Sequence, residues 1–90
     1  EESYEVILNN EKIDFTAKEF QILNLLSNHP NRVFTKEQLF NQIWGYDDFG
    51  DMNTITVHIR KIRMKIEANS KQPTYIKTVW GVGYKFENPV

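Results

Sequence analysis

NTITVHIRKIRMKIE, residues 53–67, is the stretch on which the reading of this chain turns. Ile55, Ile59, Ile62 and Ile66 recur at i, i+4, i+7 and i+11, which at 3.6 residues per turn places them on one narrow stripe. The spacing predicts one amphipathic helix. Its opposite arc carries Asn53, Val57, Arg60, Lys61 and Met64, with His58 and Arg63 on the flanks and Lys65 near His58. From Asn53 to Ile66 there are four Arg or Lys and no Asp or Glu. A solvated surface helix ordinarily mixes both signs into i,i+4 pairs. One that is apolar on one side and purely basic on the other can rest on a core while facing a polyanion.

Charge along the chain agrees. Residues 1–52 hold ten acidic and four basic side chains; residues 53–90 hold two acidic and seven basic. The net −1 therefore hides a polarised molecule, one face suited to phosphates and another that repels them. Ninety residues with 40% hydrophobic content and twelve aromatics support one small domain, residues 1–90, with a single core. With no cysteine, a disulfide framework, a thiol nucleophile and a Cys-based zinc site are excluded. No apolar run approaches a membrane span, and a reducing cytoplasm suits the composition. Glu1 is not a natural start, so the chain is expected to be a piece of a longer one.

Upstream of the basic helix, residues 4–9 (YEVILN) and 12–15 alternate as two short strands around an Asn9-Asn10-Glu11 turn. Thr16-Ala17-Lys18-Glu19 fits a capping box. Phe20, Ile22, Leu23, Leu25 and Leu26 then line a helix that should stop near Ser27 or Asn28, ahead of His29-Pro30. Asn31-Arg32 reads as a turn and Val33-Phe34 as an apolar link. Thr35-Lys36-Glu37-Gln38 is a second capping box, opening a helix buried through Leu39, Phe40, Ile43 and Trp44 and ended by Gly45. Residues 46–52 (YDDFGDM) form an acidic loop in which Asp51, or else Asn53, should cap the third helix. After Glu67, ANSKQP is a polar loop. Thr74–Val79 and Tyr84–Phe86 are strands joined by Trp80-Gly81-Val82-Gly83, whose glycines permit a tight turn. The order hairpin, three helices, hairpin is an α+β winged helix-turn-helix.

KEFQILNLL, NRVFTKEQLFNQIWG, NTITVHIRKIRMKIE and YIKTVWGVGYKF, in that order, resemble the C-terminal effector domain of OmpR/PhoB-type response regulators over about residues 4–87. The resemblance implies a bacterial transcription regulator in a two-component phosphorelay. Its receiver domain, absent from this chain, would be phosphorylated on Asp by a sensor kinase. The isolated domain would be a monomer that binds double-stranded DNA as a head-to-tail pair on tandem direct repeats. It would touch RNA polymerase through the loop holding Tyr46, Asp47, Asp48, Phe49 and Asp51. Three departures stand out. The family carries a four-stranded N-terminal sheet and this chain supplies about two strands, so it is expected to begin inside the domain. Thr56 stands where many members have Asp. Trp80 stands at the wing position that often carries Arg.

Base contacts are expected from Asn53, which suits adenine N6/N7 or caps the helix; from Val57, whose outward apolar side chain suits a thymine methyl; and from Lys61, at a family base-reading position. Arg60, Arg63 and Thr54 are expected on phosphates, with His58 either beside them or a half-buried spacer. Lys36 opposes the dipole of its helix and so asks for a phosphate. Trp44 matches a family residue whose indole N–H meets the DNA backbone, and is equally a core anchor. Thr78, Tyr84 and Lys77 offer backbone contacts from the wing. Trp80, at the wing tip, is a sugar-phosphate platform or a lid on the core, with the core favoured.

Enzymatic readings fare poorly. Read as an EF-hand from Asp47, the loop has Met52 for Gly at position six and His58 for Glu at position twelve. His29 and His58 join no triad signature, and Gly81-x-Gly83 leads into a strand, not a helix. No catalytic residue, metal or cofactor is expected. A winged helix that binds another protein is the remaining rival.

Overall fold

The computed structural model describes residues 3–8, 10–45 and 50–88. The order is β1 (Ser3–Leu8), β2 (Glu11–Thr16), α1 (Ala17–Ser27), β3 (Phe34–Thr35), α2 (Lys36–Trp44), α3 (Asn53–Ile66), β4 (Ile76–Val79) and β5 (Gly83–Phe86). β1 and β2 pair antiparallel with Val6 opposite Ile13, turning at Asn10 in the left-handed region, φ 68°. A second antiparallel sheet has the order β3-β5-β4. Its first strand is only two residues long, too short to show a period, which is why Val33-Phe34 reads as a link in the sequence.

Both expected capping boxes form. Thr16 Oγ1 accepts from the Glu19 N–H while Glu19 Oε1 accepts from the Thr16 N–H; Thr35 and Gln38 repeat the exchange. α1 ends at Ser27 and α2 runs into Gly45, φ 95°, a conformation that favours glycine.

The core sits where the three helices meet the second sheet. Phe15, Ile22, Leu26, Phe34, Leu39, Phe40, Ile55, Ile59, Ile62, Ile76, Tyr84 and Phe86 are buried together. Three members of the α3 stripe are fully buried and Ile66 partly so; each full burial contributes about 2 kcal/mol relative to exposure.

In the wing, the Val82 N–H donates to Val79 O and Gly81 takes φ 79°, the third-position signature of a type II turn. The two glycines do different work. Gly81 supplies the positive φ. Gly83 supplies room: a Cβ there would lie 1.9 Å from the Phe34 carbonyl oxygen, so it permits β5 to approach β3.

Candidate nucleic-acid interface

α3 is anchored by its isoleucines, so the arc opposite them faces outward. Asn53, Thr56, Val57, Arg60, Lys61 and Met64 are all exposed, Val57 to 48% and Met64 to 64%. This brings Asn53, Val57 and Lys61 onto one open surface with Arg60 beside them. Asn53 is the first helical residue and not the cap: the cap position is Met52, which makes no side-chain bond. Asp51 serves instead, its Oδ1 accepting from the Asn53 N–H at 2.9 Å. The side chain of Asn53 is thereby left to the surface. Tyr46, Asp47, Asp48 and Phe49 lie outside the described residues.

The flanks are built differently. His58 Nδ1 donates to Thr54 O at 2.7 Å and lies 3.2 Å from Thr54 Oγ1. A carbonyl only accepts, so this nitrogen carries the proton. The ring of His58 stands edge-on to Trp44, 5.2 Å between centroids, and Trp44 stacks on Phe40. Lys18 Nζ sits 5.2 Å over the Trp44 ring and donates to Ile43 O. His58 is thus half-buried and bonded to its own helix, and Trp44 is half-buried among Phe40, Lys18 and His58.

Two of the four cations on α3 are committed inside the molecule. Lys65 Nζ meets Glu19 Oε1 at 2.5 Å and lies over the Phe15 ring. Burial alone would raise the Glu19 pKa, but the Lys65 ammonium and the Thr16 N–H outweigh it and hold this carboxyl below its ordinary value. Arg63 donates from Nε and Nη2 to Ile76 O, at 3.1 and 2.8 Å, and from Nη2 to Thr78 Oγ1 at 2.8 Å. Burial pushes its pKa down, against the partial support of Tyr84 and Glu67; a guanidinium stays charged regardless. Arg63, expected on a phosphate, is therefore half-buried and bonded within the molecule. Most of its fork is spent on the wing, and only Nη1 is left to reach outward.

Glu67 is the residue the sequence reading missed. It is 8% exposed. Its Oε1 accepts from the N–H groups of Thr74 and Tyr75, and its Oε2 from those of Tyr75 and Ile76, at 2.7–3.1 Å. One signal pointed to it: it is the lone acid between Asn53 and Phe86.

On the wing, Lys77 and Thr78 are half-buried. Tyr84 is 7% exposed, its ring in the core beneath the Arg63 guanidinium, so little of it is left for a phosphate. Lys85 pairs with Glu87 at 3.0 Å. Trp80 corrects the core expectation outright, being 89% exposed. Ile76, Tyr84 and Phe86 already seal the core from the sheet, and the type II turn carries Trp80 beyond it. With Val82, exposed to 52%, it forms an apolar tip projecting beside α3. Lys36 is exposed in the first turn of α2, and with Met52, Thr78 and the wing turn it lines an open groove of about 520 Å³.

Among the described residues no helix is long and apolar enough to cross a membrane, and no group of three His, Asp or Glu could hold a metal ion.

The family described as transcriptional regulatory protein, C terminal, matches residues 10–86. The uncharacterized transcriptional regulatory protein YcbL of Bacillus subtilis is 46% identical over 80 residues, covering 89% of this chain and 35% of that protein. The response regulator DrrB of Thermotoga maritima, an OmpR/PhoB homologue, superposes with a TM-score of 0.87 at 36% identity, over 94% of this chain and 38% of that one. The Klebsiella pneumoniae RstA DNA-binding domain, solved in complex with the RstA box, gives a TM-score of 0.81 at 28% identity, over 92% and 82%. The chain spans about a third of the length of the curated relatives it matches. With the winged-helix geometry already described, these likenesses place it in the transcriptional regulatory C-terminal family, the effector domains of OmpR/PhoB-type response regulators.

Proposed function

We propose that this domain binds double-stranded DNA sequence-specifically and is the output element of a two-component response regulator. The observation that carries this reading is the outward arc of α3: Asn53, Val57, Arg60 and Lys61 exposed together, no acid among them, beside a projecting wing. A helix of that shape and charge fits the major groove. Asn53, Val57 and Lys61 read base edges. Arg60, Lys36, Thr54, Lys77, Thr78, the indole N–H of Trp44 and Nη1 of Arg63 take phosphates. Trp80 and Val82 lie on the sugar-phosphate wall of the adjacent minor groove. No chemistry is required of the site.

The parent protein extends this reading. A receiver domain phosphorylated by a sensor kinase would control pairing, two copies would sit head to tail on direct repeats in the cytoplasm, and the loop containing Asp51 would meet RNA polymerase. Family membership supports each of these.

The test is titration with duplex DNA at low and moderate salt, after selection of a preferred duplex from a random pool. Six to eight phosphate contacts would make affinity fall steeply with salt, with a log–log slope of roughly −5 to −7. A domain that binds no duplex in a salt-sensitive way would instead be reading a protein partner.

A further inference from the structure

β4 is an edge strand. β5 pairs with one side of it, and the other side would present unsatisfied N–H and C=O groups. The C-terminal end of α3 covers that side with Arg63 and with Glu67, its C-cap. Glu67 Oε2 accepts from the Ile76 N–H at 2.9 Å, and Arg63 Nε and Nη2 donate to the Ile76 carbonyl at 3.1 and 2.8 Å. In an extended strand the N–H and C=O of one residue point the same way, so a base in the last turn and the acid that caps it grip the two backbone groups of one residue. Two further bonds widen the grip. Arg63 Nη2 donates to Thr78 Oγ1, two residues further along the same face, and Glu67 holds the N–H groups of Thr74 and Tyr75 before it. From Thr74 to Thr78 the approach to the wing is thus fixed to the C-terminal end of α3, while the outward arc from Asn53 to Lys61 carries the exposed readers.

We infer that Arg63 and Glu67 are positioning residues for recognition: they fix the wing tip, Trp80 and Val82, relative to the reading face of α3 before DNA arrives, so that helix and wing bind as one preorganised unit. A fork is needed for this. Arginine meets a carbonyl and a hydroxyl at once in a fixed plane, and lysine does not. The gain comes from avoiding the ordering cost of a loose hairpin on binding.

The inference rests on the proposed DNA binding, and its test separates the two. The preferred duplex selected by the wild-type domain is prepared in two lengths, one ending at the base pairs under α3 and one extended on the wing side. The readout is the ratio of the two affinities. A variant that merely unfolds part of the population lowers both affinities alike and leaves the ratio unchanged. For the wild-type domain the extension should raise affinity roughly tenfold, the size of one good contact. Arg63→Lys keeps the charge for phosphate but loses the fork, and should reduce that gain to about twofold while the salt slope stays within about one of wild type. Glu67→Gln, far from any phosphate, should reduce it likewise; should it unfold, Arg63→Lys carries the test. A wild-type ratio in Arg63→Lys overturns the inference, as does a wild-type domain that binds both lengths equally, and in both cases DNA binding stands. Failure of the wild-type domain to bind either duplex overturns the proposed function itself.

Discussion

The outward arc of α3 and its last turn carry two cations each and put them to opposite use. On the arc, Arg60 and Lys61 stand exposed beside Asn53 and Val57. In the last turn, Arg63 and Lys65 are bonded to β4 and to Glu19, and Glu67, the C-cap, is buried under the loop that follows. Basic charge on a helix therefore does not by itself mark a ligand surface. What separates them is where they face: the arc points away from the core, whereas α1 and the second sheet close over the last turn. The arc should govern which DNA is bound, and the last turn with its C-cap should govern whether the scaffold holds.

The largest expected effect lies at the C-cap of α3. Glu67→Ala removes the acceptor from three backbone N–H groups, those of Thr74, Tyr75 and Ile76. Leaving such groups unpaired costs about 3 kcal/mol in total, equivalent in a domain of this size to a fall in Tm of roughly 15 °C. Thermal or urea unfolding checks it. A change of under about 0.5 kcal/mol, the scale of an ordinary surface substitution, would dissolve the contrast between the outward arc and this end of the helix.

Next come the two exposed cations of the outward arc, which should leave stability alone. Lys61→Ala should weaken the preferred duplex by roughly 1–3 kcal/mol and flatten discrimination at one base position. Competition binding against single-base variants of the selected site measures both. If preference is retained in full, Lys61 is not a base reader. Arg60→Ala should cost about 1 kcal/mol on every sequence alike and make the log–log salt slope shallower by about one. A sequence-dependent loss would move Arg60 from the backbone to the bases.

Legibility in the sequence follows the same division. Elements set by local chemistry were readable: both capping boxes and the isoleucine stripe of α3 form, and the chain turns at Asn10 and in the wing, though the sequence did not specify the left-handed φ of Asn10 or the type II geometry. The outward arc was readable too, because a stripe that faces the core fixes what faces away. What was not readable depends on partners distant in sequence. Lys65 meets Glu19 across 46 positions and Arg63 meets Thr78 across 15; no window of the sequence contains either pair. The two residues of β3 carry no period. Trp80 misled for a simpler reason: an aromatic side chain predicts burial only if the backbone turns it inward, and the turn at Val79–Val82 sends it out.

Glu19 gives the finest test, because one carboxylate belongs to both a local and a distant device. It caps α1 through the Thr16 N–H and pairs with Lys65 of α3. Its folded-state pKa lies below the ordinary 4.5, so near and below that pH the folded chain binds fewer protons at this site than the unfolded chain does. Stability from Glu19 is therefore fully present above pH 4.5 and is lost as pH falls through the lowered folded value. Glu19→Gln separates the two devices. α2 already shows a Thr–Gln box with both reciprocal bonds made, so the cap survives the exchange and only the charge facing Lys65 goes. Wild type and variant should differ in urea midpoint by a modest, constant amount from neutral pH down to about the ordinary carboxylate range, and converge below it. A difference that persists unchanged at the lowest pH would show that it does not come from the carboxylate charge, and would leave the Lys65 pair as a contact without stabilising charge.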